Sequence, residues 1–70
     1  MKLKAQICAA SVELREYPNY EEAPILDTLH KGDSVSLLET KLYYDPGVEG
    51  YSYYKVEYRG TIGFIRKGAI

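Results

Sequence analysis

The chain has few of the residues from which catalytic and metal sites are commonly built. Its 70 residues include one cysteine, one histidine and no tryptophan. Cys8 therefore has no partner for an internal disulfide, and Cys8 and His30 alone cannot supply the ligands of a zinc site. A glycine-rich phosphate loop is also absent from the sequence. We therefore predict no catalytic, cofactor-binding or metal-binding residues, and a protein that is not an enzyme.

The chain also lacks an excess of charge of one sign. Nine basic residues against ten acidic ones give a formal net charge of -1, without the basic excess that binding to nucleic acid requires. No apolar stretch is long enough for a signal peptide or a membrane span. We expect neither a nucleic-acid nor a membrane partner. A natural start at Met1 predicts a cytoplasmic protein, whereas a fragment of a secreted protein would belong outside the cell or in the cell wall.

Most of the chain consists of short segments in which apolar and polar residues alternate, and turn residues separate these segments. Residues 4–10 place Ile7 on a core-facing side and Cys8 on the opposite one. In residues 53–58, Tyr54 and Tyr58 share the inward side with Val56, while Tyr53 points away from it. The tight turns expected at residues 31–33 and 59–60, and longer loops at 13–22 and 43–50, separate about five strands. The pattern predicts a single all-β domain over residues 1–70, folded as a small closed or nearly closed barrel.

Three segments resemble consecutive parts of Src-homology-3 (SH3) domains, and more closely the bacterial version of that family. In residues 12–18, Leu14, Arg15 and Pro18 match the bacterial hydrophobic-Asn-Val-Arg-Ser-Gly-Pro pattern. Residues 25–38 are similar to the family's strand, Lys-Gly-Asp turn and following strand. Residues 53–65 resemble its Trp-x-Lys-Val and Gly-Trp-Val ending, with a tyrosine and a phenylalanine at the tryptophan positions. The resemblance implies an SH3-like β-barrel of about five short antiparallel strands.

The chain departs from the family at positions that concern ligand binding. Glu13 and Tyr17 replace the usual Asn and Gly of the first segment. Arg66 and Ala69 stand where eukaryotic members have the Pro and Tyr of their polyproline-binding groove, so the resemblance implies an incomplete groove. In bacterial members it implies binding to peptidoglycan peptides, and fold alone does not decide between such functions.

Aromatic and acidic side chains supply the candidate partner-binding residues. Six tyrosines lie in or beside the two long loops, which flank the ligand surface in the family, and Phe64 occupies a family tryptophan position. These residues are Tyr17, Tyr20, Tyr43, Tyr44, Tyr51, Tyr53 and Phe64. Carboxylates of the first loop occupy the place where eukaryotic relatives pair with an Arg or Lys of the ligand. They are Glu13, Glu16, Glu21 and Glu22.

Each of these features also has a simpler interpretation. The rings could pack the loops against the barrel, and the acidic loop could be an ordinary solvated surface. Arg15 is expected to pair with a loop carboxylate rather than with a ligand.

The sequence thus favours a binding module that holds a peptide or protein partner, with a basic residue on that partner. A specific version is an adaptor or inhibitor of a host protein, carried by a bacteriophage or mobile element. The alternative is a cell-wall targeting domain excised from a larger secreted hydrolase. Whether the protein is a monomer or a homodimer stays open, because a tyrosine-rich patch could also seal a dimer.

Overall fold

Six antiparallel strands and one short turn of 3-10 helix make up the computed structural model, which describes residues 3–70. The strands are β1 (Leu3–Gln6), β2 (Ser11–Arg15), β3 (Ile25–His30), β4 (Ser34–Tyr44), β5 (Ser52–Tyr58) and β6 (Thr61–Arg66), and the 3-10 turn is Lys67–Ala69. The predicted all-β class is confirmed, with six strands where about five were expected. No helix within residues 3–70 is long and apolar enough to cross a membrane.

The strands form one sheet in the order β1-β4-β5-β6-β2-β3. Leu29 of β3, at one edge, and Val35 of β4, which pairs with the other edge strand, belong to the same buried cluster. A flat sheet would keep these two side chains apart, so the sheet wraps around its core. The cluster consists of Ile7, Val12, Leu14, Leu29, Val35, Val56, Ile65 and Ala69.

The predicted alternation of inward and outward residues is confirmed at two strands. Ile7 is buried and Cys8 is exposed, as the pattern of residues 4–10 requires. Tyr54 and Tyr58 are partly buried and pack against the core that contains Val56. The first strand nevertheless ends at Gln6. The Ile7 amide still donates to the Asp33 carbonyl at 2.9 Å, and the chain changes partner at Cys8, whose amide donates to the Ala69 carbonyl at 2.7 Å.

Both predicted tight turns are present and use the left-handed backbone region. Gly32 has φ +94°, and the Asp33 amide closes that turn onto the His30 carbonyl at 2.9 Å. Arg59 and Gly60 have φ values of 50° and 82°, the pair of positive values typical of a two-residue hairpin. These turns fix the register of the strands that they join.

Two long loops remain, and each begins where its strand ends. Loop A (residues 16–24) joins β2 to β3, and loop B (residues 45–51) joins β4 to β5. The Glu16 amide donates to the Pro24 carbonyl at 3.0 Å, which closes loop A at its base. β4 extends through Tyr44, so loop B starts two residues later than the 43–50 boundary predicted from the sequence. Both loops lead to the outer face of the sheet.

Candidate functional site

The outer face of the sheet carries two rows of side chains that cross from strand to strand. In one row Arg66 of β6, Tyr53 of β5 and Tyr43 of β4 lie directly opposite one another. The neighbouring row contains Arg15 of β2, Phe64 of β6 and Lys55 of β5. Because side chains alternate along a strand, both rows point away from the core face that holds Val56 and Ile65. Five of these six residues are aromatic or carry a guanidinium group, which is a composition typical of binding surfaces.

Tyr53 is buried, which corrects the expectation that its ring is exposed on the partner-binding surface. Its side chain points to the outer face as predicted, yet it is 0% exposed. Alternation along a strand predicts the face of a side chain but not what covers that face. Here the covering groups include Asp45 of loop B, which accepts a hydrogen bond from the Tyr53 hydroxyl at 2.9 Å.

Asp45 of loop B accepts four hydrogen bonds, one of which joins loop B to loop A. Its Oδ2 accepts the backbone amide of Tyr20, from loop A, at 2.7 Å and the hydroxyl of Tyr53 at 2.9 Å. Its Oδ1 accepts the amides of Gly47 and Val48 at 2.8 and 3.2 Å. A carboxylate can accept several such bonds and donates none when ionised. The buried charge is therefore satisfied, and it fixes loop A to loop B.

The pKa values of Asp45 and Tyr53 follow from this arrangement. Burial by itself raises the pKa of Asp45, but the hydrogen bonds donated by Tyr20, Gly47, Tyr53 and Val48 outweigh burial and hold the pKa below its ordinary value of 3.8. Burial, followed by the bond to Asp45, raises the pKa of Tyr53 to about 12. At neutral pH the carboxylate is thus ionised and the phenol keeps the proton that it donates.

Two arginines flank a pair of tyrosine rings in a stack that includes Tyr20, whose amide bonds to Asp45. The guanidinium of Arg15 lies 4.9 Å from the centre of the Tyr20 ring, and that of Arg66 lies 4.5 Å from the centre of the Tyr51 ring. The two rings meet edge to face with their centres 6.0 Å apart. Such contacts are each worth about 0.5–1.5 kcal/mol or more where water is excluded. The stack therefore orders side chains from β2, β6 and both loops.

The two arginines of the stack differ in their electrostatic environment. Arg15 is buried, forms an ion pair with Glu13, and donates to the Ala23 carbonyl at 3.3 Å. The predicted pairing of Arg15 with a carboxylate of residues 13–22 is confirmed, but Glu13 and Arg15 lie in β2, so the loop predicted for this segment starts only at residue 16. Arg66 is exposed and forms no ion pair with any carboxylate of residues 3–70. One positive charge is thus neutralised within the fold and the other faces solvent.

A shallow cavity of about 290 Å³ opens beside the stack. It is lined by Ser11, Val12, Glu13, Arg15, Tyr20, Thr28 and Arg66. Pockets for drug-sized ligands usually hold about 300–1,000 Å³, so this one is the size of a few side chains. We name the cavity together with Tyr51 the Arg66 cleft.

A second aromatic contact continues the outer face away from the cleft. The rings of Tyr43 and Phe64 meet edge to face at 5.0 Å. The Tyr43 hydroxyl donates to Glu39 at 2.5 Å, and this hydrogen bond, ahead of burial and the charge of Glu39, raises the pKa of Tyr43. Lys55 lies 4.0 Å from the same carboxylate. Both predicted residues of this pair are partly buried and retain exposed surface.

The other predicted site residues are divided between loop A and the far side of the sheet. Tyr17 and Tyr20 are exposed on loop A, together with its three acidic residues, Glu16, Glu21 and Glu22. The amides of the last two donate to the Asn19 side chain, both at 3.0 Å, which shapes the loop. Tyr44 is 70% exposed and has no ring contact with the other described tyrosines. The structure therefore brings Tyr20, Tyr43, Tyr51 and Phe64 to one face and leaves Tyr44 apart.

Sequence reasoning missed two residues of the site. Asp45 begins an Asp-Pro-Gly segment, in which an aspartate commonly accepts the amide two residues on, but its contact with Tyr20 spans 25 positions. Arg66 entered only as a departure from the SH3 pattern, although alternation along β6 places it on the outer face. Within residues 3–70 no group of three or more His, Cys, Asp or Glu side chains could hold a metal ion.

Comparison of the chain with models of protein families, with curated proteins and with solved structures finds no match.

Proposed function

We propose that this protein is a non-enzymatic binding module that holds a peptide or protein partner on its outer face. The contact surface consists of loop A, the Arg66 cleft and the neighbouring Tyr43–Phe64 pair. Within it, Tyr17, Tyr20, Tyr51 and Phe64 offer rings, and Glu16, Glu21 and Glu22 offer charge to a basic residue of the partner. Tyr53 supports this surface from beneath.

The observation that carries the proposal is the fixed position of an exposed ring. The Tyr20 side chain is 49% exposed, yet its amide is bonded to buried Asp45 and its ring packs against Tyr51 and Arg15. A ring that is already ordered loses little conformational entropy when a partner covers it, and tyrosine is enriched among the residues that dominate interfaces. An exposed ring without such contacts, as in Tyr44, lacks this advantage.

We also propose that the barrel is of the SH3 type. The Lys-Gly-Asp turn that suggested the resemblance joins β3 to β4, and the Gly63-Phe64 pair lies in the last strand. An adaptor or inhibitor of a host protein is the specific version of the function that we propose, since blocking a protein needs a complementary surface and no active site.

A capture experiment with two matched variants tests the proposed function. The wild-type protein, Tyr20→Ala and Tyr44→Ala are immobilised and exposed to a lysate of the source organism. Both variants remove one exposed ring. Tyr20→Ala keeps the backbone amide that bonds to Asp45 but loses the ring contacts with Tyr51 and Arg15, so thermal melting of both variants verifies that they are folded at the temperature of the capture. We expect one stoichiometric protein to be retained by the wild type and by Tyr44→Ala and to be lost from Tyr20→Ala.

Two results would contradict the proposed function. One is equal retention by all three proteins, which would place the contact away from loop A. The other is co-sedimentation with purified cell walls and no retained protein, which would identify a cell-wall targeting domain instead.

A further inference from the structure

The Arg66 cleft contains a cation that the fold positions but does not neutralise. Arg66 is the last residue of β6 and stands directly opposite buried Tyr53, so its backbone belongs to the rigid sheet. Its guanidinium lies 4.5 Å from the centre of the Tyr51 ring. Arg66 also lines two smaller cavities, of about 280 and 160 Å³, that adjoin the first. The side chain is thus central to the concave part of this surface.

Stacking leaves the hydrogen-bonding edge of Arg66 available. A guanidinium over a ring uses its flat face, while its N–H groups point outward in its own plane. Two parallel N–H groups match the two oxygens of a carboxylate, in the strongest ordinary hydrogen-bonded ion pair of proteins. The stacked geometry therefore prepares Arg66 to bind an acidic group.

The charges around the cleft favour the same ligand. Glu13 is the acidic residue in the lining and is already paired with Arg15, while Asp45 accepts four hydrogen bonds beneath the surface. The titratable lining of the main cavity otherwise consists of Tyr20 and Arg66. Lys67 lines the adjoining cavity and adds a second positive charge. One acidic and two basic side chains in the main lining leave an excess of one positive charge.

We infer that the Arg66 cleft binds a side-chain carboxylate, an Asp or Glu of the protein partner, between Arg66 and the exposed ring of Tyr20. This inference rests on the proposed function and defines its partner more closely. The partner then presents two kinds of charge: a basic residue to the glutamates of loop A and an acidic residue to Arg66. Ser11 and Thr28 in the same lining supply hydroxyl groups that can donate to the bound carboxylate.

Selection from a library of random peptides tests the inference without knowledge of the natural partner. The displayed library is enriched on the wild-type protein, and selected peptides are then synthesised with amidated ends so that only side chains supply carboxylates. Arg66→Gln is compared with Arg59→Gln. Arg59 is also exposed and lies over a tyrosine ring, that of Tyr58, at 5.2 Å, but it occupies the hairpin at the other end of β6.

We expect the selected peptides to share an Asp or Glu at one position. Arg66→Gln should weaken their binding about 10–100-fold, the effect of losing one charge-assisted pair, while Arg59→Gln leaves it unchanged. A parallel selection on Arg66→Glu should return Lys or Arg at the same position.

Peptides without a shared acidic position, or equal weakening by the two glutamine variants, would overturn the inference. A selection that yields no peptide on the wild type would also overturn it. If a protein is nevertheless captured from lysate in a Tyr20-dependent manner, the proposed function survives and only the carboxylate site is lost.

Discussion

At the scale of single residues, the contact between Asp45 and Tyr53 determines how the outer face is built. A buried carboxylate without partners would be strongly unfavourable, but Asp45 receives four donors from loop A, loop B and β5. Three of the four donors are backbone amides and the fourth is the hydroxyl group of Tyr53. The raised pKa of Tyr53 keeps this hydroxyl protonated, and therefore a donor, at neutral pH. The same carboxylate accepts the backbone amide of Tyr20, whose ring packs against Tyr51 and Arg15.

Removing only the hydroxyl group tests the contribution of this contact to stability. Tyr53→Phe keeps the buried ring and deletes one hydrogen bond to a charged acceptor, so we expect a loss of about 1.5–3 kcal/mol in the free energy of unfolding. Tyr44→Phe is the control, because its hydroxyl is exposed, and it should change stability by less than about 0.5 kcal/mol. Urea denaturation measures both. Equal effects of the two substitutions would show that the Tyr53–Asp45 bond is not stabilising.

The lowered pKa of Asp45 predicts how stability depends on acid. A carboxyl group whose pKa is lower in the folded state stabilises the fold fully above its ordinary pKa of 3.8, and this contribution is lost as the pH falls through the lower folded value. Asp45→Asn lacks the ionisable group. We therefore expect the variant to be less stable than the wild type at pH 7, and the difference to narrow below about pH 4.

Denaturation in urea across a series of pH values checks this expectation. Asp27→Asn is a suitable control, since its exposed carboxyl accepts one amide, that of Thr28. If the difference in the free energy of unfolding between the wild type and Asp45→Asn stays constant from pH 7 to acid pH, the lowered pKa of Asp45 is contradicted.

At the scale of the strands, Gly63 permits the close approach of β6 and β2. A Cβ atom at this position would lie 2.8 Å from both the Arg15 carbonyl oxygen and Cγ of Leu14. The carbonyl belongs to the backbone and cannot move aside as a side-chain end can. The absence of a side chain at Gly63 therefore allows β2, which carries Arg15, to pair closely with β6.

Adding one methyl group tests the close approach. Gly63→Ala should lower the free energy of unfolding by about 1–3 kcal/mol or more, because the strands must separate to admit the Cβ atom. Gly68→Ala is the matched control, since a Cβ atom there meets nothing within 4 Å. Thermal melting compares the two. An unchanged melting temperature for Gly63→Ala would contradict the strand packing described here.

Side chains also protect the edge strand β3. The outward amides of Thr28 and His30 donate to the carboxylates of Asp27 and Asp33, both at 2.8 Å. Unpaired amides on an edge invite pairing with another sheet, and charged groups at an edge oppose it. Asp27 and Asp33 thus cover two amides at this edge of the sheet.

Removing one of these carboxylates should allow the edge strand β3 to pair with a strand of another molecule of the protein. For Asp27→Ala we expect a larger apparent mass than that of the wild type at the same high concentration, measured by size exclusion with light scattering. Glu49→Ala removes an equal charge from exposed loop B and should leave the mass unchanged. Equal masses for all three proteins would refute a protective role of Asp27.

The sequence predicted those features that depend on neighbouring residues. Alternation placed Ile7 in the core and Cys8 outside it, and glycine with polar partners located the turns at residues 31–33 and 59–60. Tyr53 shows where this reasoning ends. Its face was predicted, but its burial depends on loops that are distant in the sequence.

Contacts between distant loops could not be predicted for the same reason. The bond between Asp45 and the Tyr20 amide joins two loops whose approach is decided by the order of the strands in the sheet. The contact between Arg66 and Tyr51 forms only because loop B places Tyr51 beside the end of β6. The candidate residues Tyr20 and Tyr51 were named from composition and position, whereas the Arg66 cleft to which they belong required the fold.

At the scale of the whole molecule, both faces of the sheet are covered by other groups. The inner face encloses the core, and the outer face is covered in part by two loops that are joined through Asp45. The cavity beside the stack on the outer face has a volume of about 290 Å³. Such shallow, ordered surfaces suit the side chains of a macromolecular partner better than a small substrate.

Photo-crosslinking from single positions tests the central claim, that the partner binds at loop A, most directly. A photoreactive phenylalanine analogue replaces Tyr20 in one variant and Tyr44 in another, and each is illuminated in cells of the source organism. We predict one discrete protein adduct from position 20 and none from position 44. An adduct from position 44 alone, or no protein adduct from either position, would contradict the claim that loop A and the outer face form the binding surface.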